Sequence, residues 1–222
     1  MRLSASVFDF LAQLELHNNR DWFQSQKPLY DRVKAELTAF TTEWIARVAE
    51  NDPSVRRETP QTSMFRIYRD LRFSPDKTPY KIHFGIYVAP GGKSSENAGY
   101  YLHIQNNQSE LACGLWSPPT ALLKKVREEI YYEPEVFDGI VREPAFVRCF
   151  GPLLENQKLK RAPADFPPDF PYIDYLKYRH YIVSRPLTNA EVCAPAFLDA
   201  LAAACRTASG FVKYLNNIIS DN

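Results

Sequence analysis

The spacing of apolar residues changes along this chain, and that change limits the folds open to it. Residues 4–50, 119–150 and 196–219 place apolar side chains every three or four positions, as amphipathic helices do. From residue 62 to residue 116 apolar side chains recur instead at every second position, which is typical of strands that bury one face. Helices around a strand-rich middle predict an α+β fold with a mostly antiparallel sheet.

No internal repeat or sharp break in composition divides the chain, so we expect one domain over residues 1–222. The sheet should contain about five strands and be covered by the N- and C-terminal helices. The expected segments, in chain order, are helices over 4–50, a strand-rich core over 62–116, helices over 119–150, a proline-rich connection over 156–171, a last strand over 178–187, and two helices within 196–219, Ala196–Ser209 and Phe211–Ile219.

Two strands of the core, near residues 81–88 and 98–105, are predicted to form a hairpin. Their apolar halves share a face only in one register, because a slip by one residue would turn every side chain to the other face. The predicted partners are Ile86 with Leu102, Tyr87 with Tyr101, and Gly85 with His103.

The segment 66–83, RIYRDLRFSPDKTPYKIH, carries charged side chains within a strand-like pattern. If residues 64–73 are extended, Arg69 shares one face with four large apolar side chains. A desolvated guanidinium requires a carboxylate, backbone carbonyls or an anionic ligand. The segment therefore predicts either a buried ion-pair network or an anion site. The four apolar residues on that face are Phe65, Ile67, Leu71 and Phe73.

The anion hypothesis is favoured by the surplus of positive charge, because this segment has five basic and only two acidic residues. A guanidinium can bind phosphate or carboxylate through two parallel hydrogen bonds. The chain would then be a binding domain for a small anionic or phosphate-bearing ligand. Its candidate ligand-binding residues are Arg66, Arg69, Arg72, Lys77, Tyr80, Lys81, His83, Tyr87, Tyr101 and His103.

Two other classes of function stay open. An enzyme could use Asp70 or His103 as a general base, with arginines stabilising developing negative charge. Alternatively, the Arg/Asp cluster only holds the fold of an interaction or scaffold protein. His83 and His103 share a predicted face, but a third metal ligand would depend on an unknown register, so we assign no metal ligand and no cofactor.

Composition limits the partners. The 27 basic and 26 acidic residues exclude a uniformly cationic nucleic-acid binder, so nucleic acid is less favoured than a small anion. Four cysteines without paired spacing predict reduced thiols. No apolar run approaches the roughly 18 residues of a membrane span, so we expect a cytoplasmic protein without membrane contact. The sequence does not give the oligomeric state.

Short motifs throughout the chain carry a resemblance. Arg66-x-x-Arg69-Asp70-x-Arg72-Phe73 is followed by Asp76-Lys77-x-x-Tyr80, and further matches are NRDWF at 19–23, APGG at 89–92, AGYYLH at 98–103, GLW at 114–116 and VSRPL at 183–187. In these motifs the chain resembles an uncharacterised bacterial domain-of-unknown-function family, DUF2461, roughly from Phe8 to Leu215. The resemblance implies a shared fold and a region of interest, but it brings no reaction, cofactor or catalytic residue.

Overall fold

One antiparallel sheet forms the centre of the protein in the computed structural model, which describes residues 1–72 and 74–220. Its four strands within these residues are neighbours in chain order. The α+β prediction is confirmed, whereas the expected fifth strand is absent from the described part of the chain. The strands are β1 (Phe84–Val88), β2 (Gly99–Ile104), β3 (Ser109–Leu115) and β4 (Tyr181–Leu187).

The predicted hairpin register is confirmed. Ile86 pairs with Leu102 on the buried face of β1 and β2, and Tyr87 pairs with Tyr101 on the other face. Gly85 lies opposite His103, as the alternation of side chains required.

The segment before β1 was expected to be a strand, and this expectation is wrong. It makes only isolated bridges to its neighbours, from Met64 to Ile86 and from Tyr68 to Tyr80. Pro79 lacks a backbone N–H and so cannot donate to a continuous ladder; its carbonyl only accepts from the N–H of Arg69 at 3.0 Å. Phe73, expected on the apolar face of this strand, lies outside the described residues.

Helices cover the buried face of the sheet. Phe10 stacks on Phe84 of β1 at 6.2 Å between ring centroids, and Phe40 stacks on Phe197 at 5.6 Å. No helix of the described ranges is both long and apolar enough to cross a membrane. The helices are α1 (Ala5–Leu16), α2 (Arg20–Ser25), α3 (Lys27–Ala49), α4 (Pro60–Ser63), α5 (Thr120–Tyr132), α6 (Pro134–Val141), α7 (Pro144–Phe150), α8 (Ile173–Leu176), α9 (Asn189–Val192) and α10 (Phe197–Ser220), with 3-10 turns at Pro53–Val55 and Gly92–Ser94.

The last helix corrects a second expectation. Two helices were predicted within 196–219 because Gly210 reads as a break, yet α10 runs without interruption through Gly210. Its apolar stripe, which includes Phe211 and Leu215, is fully buried on both sides of this glycine. Burial along the whole helix outweighs the roughly 1 kcal/mol that one glycine costs a helix interior.

Two asparagines bind backbone groups of residues that precede the hairpin strands β1 and β2. Asn18 donates its side-chain amide to the Tyr80 carbonyl at 2.9 Å and accepts from the Tyr80 N–H at 3.1 Å. Asn216 of α10 likewise donates to the Ala98 carbonyl at 3.1 Å and accepts from the Ala98 N–H at 2.8 Å. Each asparagine therefore satisfies a donor and an acceptor that no strand pairs.

Candidate functional site

The sheet face turned away from the core helices is concave. Small residues occupy its centre, so the strands leave room above them, and a cavity of about 860 Å³ lies over this face. That volume is within the range of small-molecule sites, roughly 300–1,000 Å³. The small lining residues are Gly85, Gly99, Ala112, Gly114 and Ser184.

Aromatic side chains surround this floor and depend on the glycines. A Cβ atom on Gly85 would lie 2.8 Å from the Tyr101 hydroxyl oxygen, so a larger residue there would displace that ring. Phe65 meets Tyr101 edge to face at 6.3 Å. Tyr87 donates its hydroxyl proton to the Asn97 carbonyl at 2.6 Å, and burial raises its pKa. We call the cavity over this sheet face the sheet-face cavity; Lys81 lies at one end of it and Trp116 at the other.

One end of the sheet-face cavity is basic. The Lys81 ammonium lies 5.4 Å from the centre of the Phe65 ring, and burial, followed by the charge of Arg66, lowers the pKa of Lys81. Within residues 1–72 and 74–220 neither Lys81 nor Arg66 has a carboxylate in salt-bridge contact. Lys81 is therefore a partly buried cation near a second cation, Arg66, which is exposed, lies outside the cavity lining and interacts with Asp70 only beyond salt-bridge distance.

Two histidines lie beside this basic end. The rings of His83 and His103 are 4.3 Å apart between centroids. Burial, with smaller contributions from His103 and Lys81, lowers the pKa of His83 from 6.5 to about 4. His83 is consequently neutral at physiological pH.

Hydrogen bonds determine the tautomer of His103. The side-chain nitrogen of Gln105 donates to Oε1 of Gln108 at 3.1 Å. The side-chain oxygen of Gln105 is therefore the atom that faces Nε2 of His103, at 3.0 Å. An amide oxygen only accepts, and Nε2 must carry the proton. Nδ1 of a neutral His103 is then the acceptor for the Tyr101 hydroxyl at 3.1 Å. The arrangement holds a tyrosine hydroxyl against a basic nitrogen at the cavity wall.

One acidic residue borders this pair. Glu110 lies opposite His103 in the β2–β3 ladder and lines the cavity. Burial and then the charge of Glu110 raise the pKa of Tyr101 to about 12, so the phenol is protonated. No three His, Cys, Asp or Glu side chains of the described residues are grouped so that they could hold a metal ion.

Several residues predicted for the site are engaged elsewhere. Arg69 binds Asp76, Thr78 and Ser74, and its side chain is 25% exposed rather than buried. The expected burial of Arg69 is therefore wrong, because no strand turns it toward the core. Tyr80 is a core residue stacked on Phe23 at 4.0 Å.

Three other charged residues of segment 66–83, Asp70, Arg72 and Lys77, also have local partners. Arg72 binds Asp70, which lowers the pKa of that carboxyl to about 2, and Lys77 donates to the Leu71 carbonyl at 3.1 Å. Asp70 is thus an exposed ion-pair partner and does not line the sheet-face cavity. The predicted residues that do line it are Lys81, His83, Tyr87 and Tyr101, with His103 hydrogen-bonded to Tyr101.

Sequence reasoning missed part of the cavity. Trp116, Ser184 and Asn156 were not among the predicted ligand-binding residues. All three line the cavity. The alternation of β3 would have placed Trp116 on the same face as Ala112 and Gly114, but β4 pairs with β3 across a long insertion that no local pattern reveals.

A four-stranded antiparallel sheet with helices on one face and a cavity on the other defines an α+β protein with an open sheet face. The family model described as conserved hypothetical protein (DUF2461) matches residues 6–214. The chain belongs to this family. Searches of curated proteins and of solved structures found no match to it.

Proposed function

We propose that this protein is a binding domain for a small anionic ligand, a carboxylate or a phosphate ester, and that the ligand's acid group lies at the basic end of the sheet-face cavity. The observation that supports this most directly is Lys81. A partly buried ammonium near Arg66, without a carboxylate partner in the described residues, gains most from an anion between the two side chains.

The neighbouring groups suit such a ligand. His83 is neutral and provides either a donor or an acceptor, and the oxygen of Tyr101 can accept a further hydrogen bond because its proton is directed to His103. Tyr87 and Phe65 provide apolar contact beside these polar groups. A mostly apolar cavity with a few polar groups at one end is the usual form of a small-molecule site.

Calorimetric titration of the protein with inorganic phosphate, succinate and ribose 5-phosphate tests the proposal. We expect binding that weakens with added salt and that falls about tenfold or more in Lys81→Met, because a hydrogen bond to a charged group contributes roughly 1.5–3 kcal/mol. Lys77→Met is the matched control, since Lys77 donates to the Leu71 carbonyl and should leave affinity unchanged. Failure of all three compounds to bind at millimolar concentration would refute the proposal.

A second candidate function, acid–base catalysis, is favoured by one contact. Nδ1 of a neutral His103 accepts a hydrogen bond from the Tyr101 hydroxyl at the cavity wall, so His103 could take up that proton while the Tyr101 oxygen takes a proton from a bound ligand. Compounds that bind should then be incubated with the protein and examined by mass spectrometry. Product formed by the wild type and not by His103→Asn would support an enzyme. Turnover equal in both would exclude His103 as the base.

The location proposed for the protein is the cytoplasm. Its four cysteines, all without a disulfide partner, support this, because free thiols persist mainly in reducing compartments. Cys113 and Cys205 are buried and behave as small apolar residues. Fractionation of cells that produce the protein would test the location.

A further inference from the structure

Trp116, at the end of the sheet-face cavity opposite to Lys81, is unusually exposed for its size. Its side chain is 58% exposed although it lines the cavity. One face of the indole stacks on His180, with centroids 4.3 Å apart and planes 10° from parallel.

The contact behind the indole is fixed by the backbone. The Ser117 N–H donates to Nδ1 of His180 at 2.9 Å, and Ser117 has φ +49°, a left-handed conformation that serine rarely adopts. Strain of this kind persists only where the surrounding contacts enforce it. An aromatic ring held in place from behind loses little entropy when a flat group stacks on its other face.

The two ends of the cavity are far apart. Glu110 lies opposite His103 at the basic end, and Trp116 follows the last residue of the same strand. At about 3.3 Å per residue, the distance from residue 110 to residue 116 is about 20 Å. Inorganic phosphate can occupy only one end, whereas a ligand that touches both must be elongated.

The charged residues that line the cavity limit the ligand further. Glu96 and Glu110 line the same cavity as Lys81 and Lys93, so the lining as a whole does not favour a uniform polyanion. Lys93 also donates to the Gln61 carbonyl. The acid group of the ligand should therefore be confined to the Lys81 end.

We infer that the cavity binds an elongated molecule in which a planar aromatic ring stacks on Trp116 and a long arm carries a carboxylate or phosphate to the Lys81 end. This inference rests on the proposed anion site and adds the class of ligand. Folic acid is a suitable carboxylate probe, because a planar pteridine and a glutamate lie at its two ends. Flavin mononucleotide is the corresponding phosphate probe.

Calorimetry compares each whole probe with its halves, which are pterin and 4-aminobenzoylglutamate for folic acid, and riboflavin and ribose 5-phosphate for flavin mononucleotide. We expect at least one whole probe to bind about tenfold or more tightly than its acid half. Trp116→Ala should weaken that whole probe about tenfold, because it removes the ring on which the planar group stacks. It should leave the acid half within twofold, whereas Lys81→Met should weaken both.

The control variant is Tyr132→Ala, which removes a still more exposed aromatic side chain from α5 outside the cavity. If acid halves bind but neither whole probe binds more tightly, or if Trp116→Ala leaves the whole probe unaffected, the inference is overturned while the proposed anion site stands. If no acid half and no whole probe binds to the wild type, the proposed function fails as well.

Discussion

The imidazole rings of His83 and His103 lie 4.3 Å apart, and their planes meet at 32°. His83 is the residue directly before β1, and His103 is the next-to-last residue of β2. Burial is the main reason that His83 is kept neutral, and the nearby charges of His103 and Lys81 contribute less.

Stability should therefore depend on His83 at acid pH. The pKa of His83 is about 4 in the fold and 6.5 in the unfolded chain, so between these values the unfolded chain binds a proton that the fold does not. The free energy of unfolding should fall by about 1–3 kcal/mol as pH decreases from 7 to 4, and this contribution should be constant below pH 4. Denaturant titrations at several pH values measure it.

The matched pair of variants is His83→Asn and His17→Asn. His17 is exposed and stacks on Trp22 away from the cavity, so His17→Asn should keep the wild-type slope. His83→Asn should flatten it. Equal slopes in all three proteins would show that His83 titrates normally in the fold.

The hairpin beside these histidines shows which part of the fold could be predicted from the sequence. Strict alternation in 81–88 and 98–105, with apolar halves that must share a face, was enough to predict the register of β1 and β2. The same alternation in 64–73 predicted a strand that does not form, because periodicity describes side chains and does not report whether backbone partners exist. Arg69 was misplaced for this reason. Tyr80 was predicted to bind a ligand, but it packs on Phe23 in the core.

Arg69→Ala should cost much less than a buried ion pair would. Its side chain is 25% exposed and that of Asp76 is 55% exposed, so water replaces part of the lost interaction. The loss in free energy of unfolding should be well below the roughly 3 kcal/mol expected for a buried pair. Denaturant titration of Arg69→Ala beside Arg69→Lys tests this. A loss of about 3 kcal/mol or more would instead support the buried ion pair that the sequence predicted.

Gly114→Ala should destabilise the protein strongly. Gly114 has φ +124°, and a Cβ atom there would lie 2.0 Å from the Tyr181 carbonyl oxygen of β4. The backbones of β3 and β4 would have to separate, and we expect a loss of about 3 kcal/mol or more. Gly210→Ala is the matched control in α10, where nothing lies within 4 Å of the new Cβ atom, so stability should rise by about 0.5–1 kcal/mol. Equal effects of the two changes would contradict the geometry of β3.

Substitution of Asn216 should destabilise the protein more than its position in the last turns of α10 suggests. Asn216→Ala leaves the N–H and carbonyl of buried Ala98 without partners, and we expect a loss of about 2–4 kcal/mol. Asn216→Asp keeps an acceptor for the N–H but places a carboxylate oxygen against the carbonyl, so it should not restore stability. Thermal unfolding of both variants measures this, and wild-type stability of Asn216→Asp would mean that the donated hydrogen bond contributes nothing.

The parts of the site that sequence did not reveal depend on contacts between distant segments. Trp116 stacks on His180, which lies beyond four helices and a proline-rich connection. Asn19, which follows α1 closely, caps α2 by accepting from the Trp22 N–H at 2.9 Å. Local composition cannot distinguish a residue that ends one helix from one that begins the next.

The bond between Asn216 and Ala98 sets an order of events during synthesis. The two residues are 118 positions apart, so when β1, β2 and β3 have left the ribosome, the first residue of the hairpin strand still lacks its partner. At about 5–20 residues per second, the missing helix arrives several seconds later. Until then the part of the sheet that α10 finally covers lacks this helix, so the packing of the sheet can be completed only after α10 has been synthesised.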